Sequence, residues 1–149
     1  MDWKGQIAFD GRISFSRLLK ESDGRRVFKP SGYIAHEMAH YYFGSLYAPR
    51  GPLRWFLLES TAEFMAMKAQ RSLAGEEAYA TIVRSHYKEA VAAGDVAPLD
   101  TVRVAERIGE NYRYRLGPLI LIALEKYASE GVVRKTLARA PVSSDERVL

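Results

Sequence analysis

Apolar and polar positions alternate through "GQIAFDGRISFS", Gly5 to Ser16, on both sides of Asp10-Gly11. That period of two around a turn signal predicts two short, tightly joined strands or one bulged strand. Glu21 to Lys29 is then polar, basic and rich in turn formers, a surface loop ending at Pro30, with Ser31 the expected N-cap of the first helix. From Gly32 to about Leu46 apolar and aromatic residues recur at helical spacing, and Gly44 is a natural terminator. After "YAPRG", Pro52 falls in the first turn of a second helix, "PLRWFLLESTAEFMAMKAQRSL", to about Leu73. "GEEAYATIVRSHYKEAVAAG" predicts a third amphipathic helix closed by Gly94, followed by the loop "DVAPLDT" and a short helical run "VRVAERIG". A last helical region spans "YRYRLGPLILIALEKYASEG" and continues into "VVRKTLARA" after Gly131. The pattern predicts one domain over residues 1–149, mainly α with a short β element, without internal repeats or a linker.

Composition narrows the chemistry. The chain has 149 residues and no cysteine, so thiolate metal sites and disulfides are excluded and any transition metal falls to His, Asp or Glu. The net charge of +4 reads as a solvated surface, with no nucleic acid expected as partner. Apolar runs such as "LGPLILIALEKYA" stop short of the roughly 20 residues a bilayer demands, and "MDWKGQIAFDGR" lacks the apolar stretch of a signal peptide. No membrane partner is expected, and the compartment stays open with the cytoplasm favoured.

The candidate chemistry lies in "YIAHEMAHYYFGS", Tyr33 to Ser45. Residues four apart on a helix are offset by about 40° and one turn, so His36 and His40 project side by side and can grip one ion. Glu37, about 100° round from His36, suits a general base better than a ligand. A catalytic zinc needs three protein ligands and an open position. Two histidines on a half-buried helix can equally be satisfied by backbone or water, so a third ligand decides. His86, in the mixed polar segment "VRSHYKEA", reads as a surface residue. Glu59 and Glu63 sit one turn apart among "WFLL", "STA" and "FMAM", apolar company in which an acid requires a partner. If the second helix packs on the first, Glu59 completes a His₂Glu set, and Glu63 can accept the other ring N–H of a histidine ligand.

The segment "IAHEMAHYYFGSLYAPRGPLRWFLLESTAEFMA" resembles the active-site region of the aminopeptidase N family of zinc metallopeptidases. "HYYFGS" stands where that family has "HQWFGN", and "FLLESTAEF" where it has "WLNEGFAEY". Eighteen residues separate His40 from Glu59, as between the corresponding residues of the family. The resemblance implies one zinc ion on His36, His40 and Glu59, with Glu37 as base and a peptide as substrate. It also implies the helical part of a thermolysin-like catalytic domain. Downstream, "YRLGPLILIALE" resembles the family's "Y-x-K-G" segment, which makes Tyr114 the oxyanion donor, with Leu116 in place of the lysine and Tyr112 close by. Where the family carries an amine-binding glutamate, "QIAFD" has Phe9, with Asp10 next to it. The family's enzymes are several times longer, so the chain is expected to be a catalytic core, excised or naturally reduced, that flanking domains would wall off.

Two readings from other classes stand beside this one. A binding or scaffold domain could keep the fold and the ion without a productive cavity. The stretch "NYRYRLG" alternates Arg113 and Arg115 with Tyr112 and Tyr114, a pattern suited to single-stranded nucleic acid but too short to make a surface.

Overall fold

The computed structural model describes residues 29–46, 49–94, 98–99 and 109–138. The expected β element, with Phe9 and Asp10, and the helical run "VRVAERIG" up to residue 108 lie outside these residues. Among the described residues the chain is mostly helical and contains no strand.

Helix α1 (Lys29–Ala39) begins earlier than the sequence pattern predicts. Pro30 sits in its first turn, where its missing N–H costs nothing, so Ser31 lies inside the helix and is not its cap. The helix also ends earlier, at Ala39 instead of about Leu46. From His40 the chain loosens into wide turns, with Ser45 N–H bonded to His40 O at 2.9 Å and Leu46 N–H to Tyr41 O at 2.8 Å. Gly44 adopts φ 145°, and a Cβ there would stand 2.9 Å from Leu58 Cδ1, so the turn requires glycine both for backbone angle and for room.

The second helical segment starts at Arg54, passes through a π-helical turn (Phe56–Ser60) and continues as α2 (Thr61–Ala92). In the π turn, Phe56 O receives the backbone N–H of Thr61, five residues on, and also the Thr61 hydroxyl at 3.2 Å. Gly75, at φ 86° and ψ 177°, interrupts α2 where the pattern separates the second and third helices. The break is a reversal. In a straight helix Glu63 and His86 would stand about 35 Å apart, yet His86 Nε2 is 3.4 Å from Glu63 Oε1. The two halves of α2 therefore run back along each other as a helical hairpin hinged at Gly75.

A second π turn (Tyr112–Leu116) leads into α3 (Gly117–Ala128), and α4 (Glu130–Ala138) follows. The break between them falls at Ser129, φ 79°, and not at Gly131, which lies within α4. Ser129 closes one helix through its N–H to Glu125 O and opens the next by accepting from Val132 and Val133. That bend carries Val133 into the core beside Trp55, Phe56, Phe64 and Leu121. Lys68 ties the layers together, reaching both Glu125 oxygens at 3.1 Å and Glu130 at 3.0 Å. Helix α1 packs mainly along α2, with Gly32 against Gln70.

The two π turns pack against each other. Ser60, wholly buried, donates its hydroxyl to Arg113 O at 2.8 Å, and a Cβ on Gly117 would fall 2.0 Å from that hydroxyl. Glu59 and Tyr114, the neighbours of Ser60 and Arg113, are thereby set side by side. No helix among the described residues is long and apolar enough to cross a membrane.

Candidate metal centre

Helix α1 presents His36, the turn that follows its end presents His40 on the same side, and their Nε2 atoms are 3.1 Å apart. Glu59, from the first π turn, brings Oε2 to 3.5 Å from each. Every remaining ring nitrogen of the pair is engaged. His36 Nδ1 is 2.9 Å from Glu63 Oε2, and His40 Nδ1 is 3.0 Å from Phe43 O, the carbonyl that the loosened end of α1 turns back. Both partners accept only, so each Nδ1 carries a proton and Nε2 is the nitrogen that offers a lone pair when the ring is neutral. With both rings neutral, two lone pairs and a carboxylate oxygen face one point, an arrangement that calls for a positive charge, whether an ion or, without one, a further proton.

The triangle suits a zinc ion. Tetrahedral zinc with arms of about 2.0–2.1 Å spaces its ligands about 3.3 Å apart, close to the 3.1, 3.5 and 3.5 Å found here. Two neutral imidazoles and one carboxylate are a donor set of the kind that holds a catalytic zinc. The same three residues form a possible metal-holding group.

Without an ion the same contacts move the protonation equilibria. Burial works to lower the His36 pKa and is the largest single influence, but hydrogen bonds and charge from Glu59 and Glu63 together outweigh it and lift the group to about 9. His40 moves up for similar reasons, burial opposing and Glu59 and the Phe43 carbonyl prevailing. In Glu59 burial pushes upward, yet the two imidazoles hold the carboxyl far below its ordinary range.

The remaining predicted residues fall around this group. Glu37 is half-buried on α1 beside His36. The Tyr114 ring lies 5.8 Å from the His36 ring, and burial, with the Glu59 charge and hydrogen bond, raises its pKa to about 12, so its hydroxyl keeps its proton. Tyr112 faces elsewhere, edge-on to Trp55 at 6.1 Å in the core. A cleft of about 350 Å³ adjoins the centre and shares Glu63 and Tyr114 with it.

His86 is the one misplaced by the sequence pattern. It is buried, 6% exposed, between Glu63 and Arg115, not on the surface. A polar segment hides it because its burial comes from the hairpin; its near-equal distance in sequence from Gly75, mirroring that of Glu63, is the signal that locates it. No family model matches the chain, and no curated protein or solved structure does either.

Proposed function

We propose that the chain is the catalytic core of a zinc-dependent peptide hydrolase similar to the aminopeptidase N family, its helices being the helical part of a thermolysin-like domain. Peptides are its substrates, and flanking domains of a longer chain would close its cavity. The convergence of His36 Nε2, His40 Nε2 and Glu59 Oε2 supports this reading above all else. Zinc held by these three atoms supplies a Lewis acid for the scissile carbonyl and lowers the pKa of water towards about 7. Glu37 takes the proton from the attacking water and delivers it to the leaving amine as the C–N bond breaks. Tyr114 donates its hydroxyl proton in a hydrogen bond to the carbonyl oxygen as that oxygen becomes negative. Glu63 and the Phe43 carbonyl hold the two imidazoles in the tautomer that binding requires.

Zinc titration of the purified chain, followed by an assay on short peptides, tests the proposal. One zinc per chain is expected, with Glu37→Gln retaining the ion and losing hydrolysis. A chain that binds no zinc sinks the reading, and one that binds zinc but cleaves no peptide is a metal-holding scaffold instead.

A further inference from the structure

Beyond the ligands, Glu63 is approached from its other side. Its Oε2 takes the Nδ1–H of His36 at 2.9 Å, and its Oε1 lies 3.4 Å from Nε2 of His86, which the hairpin brings back from the far half of α2. His86 is buried, and its Nδ1 has no hydrogen-bond partner. A buried polar ring half satisfied costs stability, so its presence at this point needs a reason.

Burial and the adjacent Arg115 charge hold His86 below the ordinary histidine pKa, so the ring is neutral with a single N–H. Two groups compete for Nε2, Arg115 Nη1 at 3.4 Å in hydrogen-bond geometry and the Glu63 carboxylate at 3.4 Å as an ion-pair contact that a small turn of either side chain would close. Arg115 has other acceptors, since Nη1 donates to Tyr114 O at 3.1 Å and Nε to Glu89 at 2.5 Å. Glu63 gains more, because a proton on Nε2 gives its Oε1 a charge-assisted bond, whereas a proton on Nδ1 would leave a buried N–H unmet and aim a lone pair at the carboxylate.

We propose that His86 is a positioning residue for the metal centre: it donates Nε2–H to Glu63 Oε1 and thereby fixes the carboxylate whose other oxygen orients the His36 ring. The role rests on the zinc reading above. It extends the chain of support from His36 through Glu63 to the distal half of the hairpin, so that metal affinity depends on the hairpin being closed.

Zinc affinity, measured by competition with a chromogenic chelator, is the first readout. His86→Leu should weaken binding by about 10- to 100-fold, while His86→Gln, whose amide nitrogen reaches the Nε2 position and donates, should recover most of the loss. In a Glu63→Ala background, His86→Leu should add nothing further. Equal weakening by Leu and Gln, or additive losses in the double variant, overturns the donor role. Tight zinc binding by the native chain with no change in His86→Leu overturns this inference alone, and no zinc binding by the native chain overturns it together with the zinc reading. Should the Leu variant fail to fold, long-range proton–nitrogen NMR of the native chain reads the tautomer directly. Nε2–H on His86 is expected, and Nδ1–H overturns the proposal.

Discussion

His36 is clasped at both ring nitrogens by carboxylates one turn apart, Glu59 at 3.5 Å and Glu63 at 2.9 Å. The two acids do different work because they meet different atoms, one sharing the lone-pair side and the other taking the N–H. Raising the folded-state pKa of His36 to about 9 means that, in the absence of metal, its proton stabilises the fold. That contribution is fully present below the unfolded value near 6.5 and is lost as pH rises through 9. Thermal melts in chelator should therefore fall between pH 6.5 and 9, while saturating zinc, which replaces the proton, should flatten the decline. A chelated protein whose midpoint is flat across that window would contradict the assignment. The two tyrosines separate in the same way. Tyr114, beside His36, should lower turnover by about 100- to 1000-fold on substitution by phenylalanine, with zinc content unchanged. Tyr112→Phe, against Trp55 in the core, should leave turnover within a few-fold, and steady-state kinetics of the pair decides which hydroxyl acts.

At the scale of elements, irregular helix carries the site. Glu59 and Tyr114 each lie in a π turn, and the turns are joined by the Ser60 hydroxyl on Arg113 O. Apolar spacing predicts a helix through both stretches but is blind to one extra residue in a turn, because a π turn keeps the helical pattern and alters only the register. The end of α1 was similarly illegible: "HYYFGS" continues the helical spacing, yet His40 spends the Phe43 carbonyl on its own ring. The Gly75 break, in contrast, was readable, since the apolar pattern stops at Leu73 and resumes after a glycine. Its φ of 86° with ψ of 177° is a region that residues other than glycine rarely enter. Gly75→Ala should cost about 1 to 3 kcal/mol in chemical denaturation, and a variant as stable as the native chain would show that the hinge is not built as described.

For the molecule as a whole, the site is a consequence of layering. Helix α1 packs on α2, α2 folds on itself, and α3 with α4 closes the apolar side around Trp55, Phe64, Leu121 and Val133. Lys68 is a polar tie between α2 and the last two helices, and both it and Glu125 are largely out of water. Lys68→Met should leave Glu125 without its cation and lower stability by about 1 to 3 kcal/mol. Because neither partner touches His36, His40 or Glu59, zinc affinity in that variant should stay at the native value, as calorimetric titration would show.

The linear order of residues determined the helix content, the glycine stops at Gly75 and Gly94, the pairing of His36 with His40 and the shortlist of acids, since all of these depend on periodicity, backbone sterics and chemistry within a few residues. Only the tertiary structure decided which atom of each side chain faces which: that Glu59 meets the Nε2 pair, that Glu63 takes the Nδ1–H, that Tyr114 and not Tyr112 stands beside the imidazoles, and that His86 is interior. These relations depend on the reversal at Gly75 and on register shifts of one residue in two π turns. A rotation of about 100° per residue is invisible to a pattern of apolar and polar positions, yet it is large enough to turn a side chain from the core to the paired imidazoles.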